Sequence, residues 1–126
     1  MIGTFTANGK NYSGKVTTQQ FPATGQYSVL CQDESDTNDS KLMQFVFKDE
    51  KSARAGDNLT VAYDQGKDQT PGETALSFDI RYRSEANSKG TVKVNKNGAG
   101  NELVFENVTL KTIGKETVIV SGKIPF

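Results

Sequence analysis

The chain has 126 residues with 15 basic and 15 acidic side chains, no histidine and a single cysteine. That length suits one domain, residues 1–126, able to bury about two-thirds of the surface its unfolded form exposes. The even charge balance gives no long-range field for drawing in nucleic acid or an anionic membrane. Without histidine there is no Ser-His-Asp or Cys-His arrangement, no His-based zinc or iron site, and none of the commonest general base near neutral pH. With Cys31 alone, an intrachain disulfide and a thiolate zinc cluster are excluded too.

No run approaches the roughly 18 apolar residues of a membrane span, and Met1-Ile2-Gly3-Thr4-Phe5 lacks the basic and apolar regions of a signal peptide. The expectation is a soluble domain, either cytoplasmic or a secreted or periplasmic domain without its signal peptide. Ile2 to Ala7 and Asn11 to Thr18 flank Asn8-Gly9, a pair suited to the two positive-φ positions of a type I′ hairpin turn. That turn sets Ala7 opposite Lys10, Phe5 opposite Tyr12 and Gly3 opposite Gly14, where the sheet is thin: another backbone or a ligand can come close there, and a bend or bulge explains the glycines equally well.

Phe21-Pro22-Ala23-Thr24-Gly25 interrupts the pattern, and Gln26 to Gln32 resumes it with Tyr27, Val29 and Cys31 on one face. Cys31 therefore reads as a small core residue. In the acidic cluster Asp33 to Ser40, the residues Glu34, Asp36 and Asn38 recur at every second position, as the first ligands of an EF-hand-like loop do. Asp39 stands where that loop needs glycine and Phe45 where it needs its bidentate glutamate. A solvated loop is the plainer reading; an irregular calcium site using Glu34, Asp36, Asn38 and Asp39 is the alternative, and calcium is the one cofactor the sequence suggests.

Leu42 to Lys48 reads as a strand with Met43, Phe45 and Phe47 on one face and Leu42 and Val46 on the other. A helical turn is expected around Lys51 to Ala55, then a short strand with Leu59, Val61 and Tyr63 in phase. Asp64 to Thr74 is polar and contains Gly66, Pro71 and Gly72, a loop whose Gln65, Lys67 and Asp68 are candidate ligand contacts. The run Leu76 to Arg83 alternates without fault, which predicts one strand burying Leu76, Phe78, Ile80 and Tyr82 and turning Asp79, Arg81 and Arg83 outward. That outer stripe is a candidate interaction site, because Arg can clamp a carboxylate or phosphate bidentately.

Gly90 to Asn95 returns as a strand with Val92 and Val94 in phase, and Lys96 to Asn101 reads as a flexible connection. In Glu102 to Thr112 the apolar residues change phase between Phe105 and Val108, which one extra residue near Glu106-Asn107, a β-bulge, would reconcile. Ile113-Gly114-Lys115 turns the chain into a last strand with Val118, Val120, Gly122, Ile124 and Phe126 on one face.

About nine short strands and no sustained helical period predict an antiparallel all-β domain, a β-sandwich of eight to nine strands with a small β-barrel as the alternative. Composition rich in Asn, Thr, Ser and Lys is similar to that of many small bacterial surface or periplasmic β-domains, with no motif behind the likeness. Sequons begin at Asn11, Asn38, Asn58 and Asn107 and matter only in a eukaryotic secreted protein. The leading expectation is a non-catalytic domain that binds a protein or small ligand, with no nucleic acid and no membrane span. The alternatives are a structural, adhesive subunit that self-associates through an edge strand and a carboxylate hydrolase, which needs two acids roughly 5–9.5 Å apart.

Overall fold

A computed structural model describes residues 1–36, 38–55, 58–62, 70–85 and 88–126. The strands are β1 (Ile2–Ala7), β2 (Lys10–Gln20), β3 (Tyr27–Asp33), β4 (Lys41–Phe47), β5 (Asn58–Ala62), β6 (Glu73–Phe78), β7 (Tyr82–Arg83), β8 (Thr91–Asn97), β9 (Gly100–Lys111) and β10 (Thr117–Pro125), with one short helix, α1 (Glu50–Ala53), before β5. They form one sheet that closes in the order β1-β2-β3-β4-β6-β5-β8-β9-β10 and back to β1, a nine-stranded barrel, with β7 bridging β6 and β9. The barrel replaces the expected sandwich. A strand's alternation of faces is the same in both architectures; what decides is that β10 finds partners on both sides, β9 and β1. One pairing also departs from the expected antiparallel rule, since β5 and β6 run parallel with Val61 opposite Thr74.

The first hairpin forms in the register its turn dictates: Asn8 (φ 48°) and Gly9 (φ 80°) take the two left-handed positions, and Ala7, Phe5 and Gly3 face Lys10, Tyr12 and Gly14. Beyond that point β2 changes partner. Lys10 to Lys15 pair with β1 and Lys15 to Gln20 with β3, so the strand turns a corner at Gly14. Any Cβ at Gly14 would be driven into the carbonyl of Gln32, so the corner requires glycine.

A second bend is the bulge. Val120 pairs with Val108 and Gly122 with Phe105, leaving Glu106 and Asn107 opposite Ser121 alone. Asn107 takes the left-handed conformation (φ 52°), and its N–H donates to Ser121 Oγ at 2.9 Å. The extra residue keeps Leu103, Phe105, Val108 and Leu110 all inside, each fully buried. Opposite the bulge, the space a Cβ on Gly122 would need is taken by the Phe105 ring and the β1 backbone.

The interior is filled by side chains from every strand of the barrel, including Phe5, Val29, Cys31, Met43, Phe45, Phe47, Leu76, Val92, Phe105 and Ile124. Phe45 and Phe105 meet edge to face at 4.9 Å across the middle, an aromatic pair worth about 0.5–1.5 kcal/mol beyond its buried area. Every buried side-chain nitrogen and oxygen among the described residues has a hydrogen-bond partner. The interior is therefore a packed core and offers a ligand no vacant polar group.

Two sequence expectations are corrected at the ends of the barrel. The run Leu76 to Arg83 is a hairpin: β6 stops at Phe78, Asp79 (φ 53°) and Ile80 (φ 63°) turn, and Tyr82 pairs back on Phe78. Three residues in the loop leave Phe78 and Tyr82 on the same face, so the alternation survives the reversal and conceals it. Ile80, expected inside, is 66% exposed. Lys96 to Asn101 is likewise no flexible link, because Asn97 pairs with Gly100 around a two-residue turn.

The end carrying α1 is closed by Arg54. Its guanidinium lies 5.0 Å from the Phe126 ring and 5.9 Å from the Tyr27 ring, and donates to Asn101 Oδ1 (3.1 Å), the Phe126 main-chain oxygen (3.2 Å) and the Tyr27 hydroxyl (3.1 Å). Asp49 caps α1 by accepting from the Ser52 N–H at 2.7 Å, and Ala53 is fully buried beneath. Two losses of stability are expected in urea unfolding: Gly14→Ala by about 1–3 kcal/mol or more from overpacking, and Arg54→Ala by about 2–4 kcal/mol from unpaired buried acceptors and lost ring contacts. Gly114→Ala, where an added Cβ meets only Thr112 Oγ1 at 3.8 Å, is the neutral control.

Candidate functional site

The opposite end is rimmed by the Asn8-Gly9 turn, the loop from Asp33 to Lys41, the Asp79–Arg81 tip and the turn after β9. At this end lies Asp33, the last residue of β3 and a buried residue. Oδ1 accepts from the Ser35 N–H (2.9 Å) and the Ser35 hydroxyl (2.6 Å), and Oδ2 accepts from the Ser13 N–H (2.9 Å). These donors hold its carboxyl below the usual aspartate range, the Ser35 hydroxyl contributing most. Asp33 thereby pins the acidic loop to β2.

The remaining loop residues face different partners. Asp36 Oδ1 accepts from the Asn38 N–H at 3.0 Å, closing an Asx turn. Asp39 pairs with Lys41 at 2.8 Å, which lowers its carboxyl and raises the Lys41 ammonium. Glu34 is exposed. Among the described residues no three His, Cys, Asp or Glu side chains come together as a metal cluster.

The structure joins two regions that the sequence treats separately. Lys41 Nζ also reaches Asp79 Oδ2 at 3.2 Å, and Arg81 approaches the same oxygen at 3.4 Å. Asp79, Arg81 and Arg83 thus form no outward stripe: the first two sit on a hairpin tip, and Arg83 Nε donates to the Ile80 carbonyl at 3.2 Å. Gln65, Lys67 and Asp68 lie outside the described residues, as does Tyr63.

Beneath the rim runs a row of rings. Phe5 stacks on Tyr12 at 5.2 Å, Tyr12 lies 5.8 Å from Phe78, and Phe78 lies 6.0 Å from Tyr82. Lys10 Nζ sits 5.4 Å from the Tyr12 ring and Arg81 5.4 Å from the Tyr82 ring. Lys10, Tyr12, Lys41 and Tyr82 were not legible as site residues. The available signal was the Phe5 and Tyr12 pair, since a tyrosine at a strand end buries its ring and keeps its hydroxyl near water.

On the outer wall beside Asp33 lies an open groove of about 810 Å³. The register sets its floor in two rows, Ser121, Thr6 and Asn11 above Lys123, Thr4 and Ser13. A notch of about 80 Å³ between Lys10, Tyr12, Asp36 and Lys41 adjoins it and shares Asn11, Tyr12, Asp33 and Ser35 with it. Small hydroxyl and amide side chains on three adjacent strands, together with Lys123, leave the groove open.

No protein-family model matches this chain, and no curated protein and no solved structure matches it.

Because the folded-state carboxyl of Asp33 titrates below its unfolded value, its stabilisation is fully present above the ordinary aspartate pKa of about 3.9 and is lost as pH falls through the folded value. Asp33→Asn is expected to be less stable than the parent at pH 7, with the difference closing below about pH 4. Urea unfolding of both proteins across that range checks it, and a pH-independent gap would show that the carboxylate's charge is not what holds the loop.

Proposed function

We propose that this protein is a non-catalytic binding domain and that its ligand is a neutral, hydroxyl-rich molecule of the carbohydrate class, held in the groove across β10, β1 and β2. The observation that carries this reading is the composition of that groove. Thr4, Thr6, Ser13 and Ser121 each carry a hydroxyl, a group that can donate and accept, and Asn11 offers an amide. Sugar hydroxyls need such two-way partners, and the threonine methyls of Thr4 and Thr6 offer apolar surface to a sugar's less polar face. The Asp33 carboxylate at one end already accepts three hydrogen bonds, which favours an uncharged ligand.

The acids support binding over hydrolysis. A general acid needs a carboxyl raised toward neutrality, yet among the described residues every carboxyl with a resolved shift, those of Asp33, Asp39, Asp49 and Glu73, moves down. The Cys31 thiol is raised by burial and is fully enclosed, the opposite of an activated nucleophile. Assembly through an edge strand, the other reading, would have to use the stretches that pair on one side only, such as Thr17 to Gln20 of β2.

Amide chemical shifts of the labelled protein titrated with neutral mono- and oligosaccharides test this. Shifts are expected at Thr4, Thr6, Asn11, Ser13 and Ser121 for at least one sugar, weakened at least tenfold in Thr4→Trp, which fills the groove. Turnover of the sugar, or shifts confined to another surface, would overturn the proposal.

A further inference from the structure

A second groove, of about 770 Å³, lies between the β6–β7 hairpin and the turn joining β9 to β10, and shares no residue with the first. We propose that it docks an acidic protein segment carrying apolar side chains. Its charges are uneven in a chain of zero formal net charge: Arg81, Arg83, Lys111 and Lys115 line it against Glu85 and Glu116. The Lys115 and Glu85 side chains approach only to 3.7 Å, and Arg81 is two-thirds exposed despite its pair with Asp79. With Asp79 at the hairpin tip counted beside Glu85 and Glu116, four basic side chains face three carboxylates, a cationic surplus of one that favours an incoming carboxylate-bearing chain over a basic one.

Two isoleucines supply apolar anchors. Ile80 is 66% exposed and Ile113 is 99% exposed, and both stand in turns, where Gly, Asn, Asp or Ser is the ordinary choice. Ile80 also holds a left-handed conformation (φ 63°), in which a β-branched side chain is a genuine outlier. The Arg81 N–H donates to the Asp79 carbonyl at 2.6 Å, a γ-turn across Ile80, and Arg83 Nε fixes the Ile80 carbonyl at 3.2 Å. A strained, exposed, apolar tip costs the folded chain stability and packs against nothing in its own core, so its use lies outside the chain. The surface is concave, which suits a protein segment inserting side chains between the two turns better than the flat surface of a bilayer.

Fluorescence anisotropy with the full chain tests the proposal, using a labelled ten-residue peptide of alternating Glu and Leu and its Lys and Leu counterpart. The acidic peptide is expected to bind and the basic one not, with affinity falling as salt is raised. The double variant Arg81→Glu with Lys111→Glu should weaken the acidic peptide at least tenfold, and Ile113→Ser at least threefold. Ile80→Asn separates use from structure, because asparagine tolerates the left-handed region: it should raise the thermal midpoint while weakening the peptide at least threefold. No binding of the acidic peptide at millimolar concentration overturns the proposal, as does equal binding of both peptides or indifference to the four substitutions. Stronger attachment to phosphatidylserine vesicles than to the peptide would make the occupant a membrane, and self-association lost in Arg81→Glu would make it a second copy; either result also overturns it. Sugar binding in the other groove is unaffected by these variants, so the two readings fail independently.

Discussion

Closure of the sheet is the constraint on which the rest of the structure depends. A strand laid flat cannot follow a barrel wall, so the chain must bend where a side chain would otherwise collide. Here β2 bends at Gly14 and β9 at the Asn107 bulge, and between them β1 and β10 meet and seal the wall. The outer groove is a by-product of the same geometry. It crosses β10, β1 and β2, the stretch bounded by the bulge on one side and the Gly14 corner on the other, and is lined there by side chains too small to fill it.

The two ends of the barrel are finished by opposite chemistry. At one, a single guanidinium between the Tyr27 and Phe126 rings ties α1, β9 and the final residue together through directed hydrogen bonds. At the other, Lys41 bridges Asp39 and Asp79, each exchange being partly wet and individually weak. The first end is thus held by hydrogen bonds of fixed direction and the second by ion pairs between partly exposed side chains.

Local chemistry was legible where local rules are sufficient. Asn8-Gly9 dictated both its turn and the register of six residue pairs, and the phase change between Phe105 and Val108 disclosed the bulge. What escaped depends on relations between distant strands. Alternation distinguishes inside from outside without saying whether two faces belong to one wall or two, so a barrel and a sandwich read alike. Leu76 to Arg83 escaped for a subtler reason, since nothing in Asp79-Ile80 announces a turn and Phe78 and Tyr82 keep their phase across it. Among the candidate residues, the acidic loop and the Asp79 and Arg81 pair were visible singly, while Lys41, which joins them, looked like an ordinary strand-end lysine.

The corner at Gly14 has one more consequence, through the thiol beneath it. Cys31 Sγ donates to the Gly14 carbonyl at 3.6 Å and lies where a Cβ on Gly3 would press at 3.0 Å, with no exposed surface. A reagent in solution can reach that sulfur only when β1, β2 and β3 part at the corner. The single cysteine thus reports on that motion: its alkylation proceeds no faster than the wall opens at the seam beside the groove.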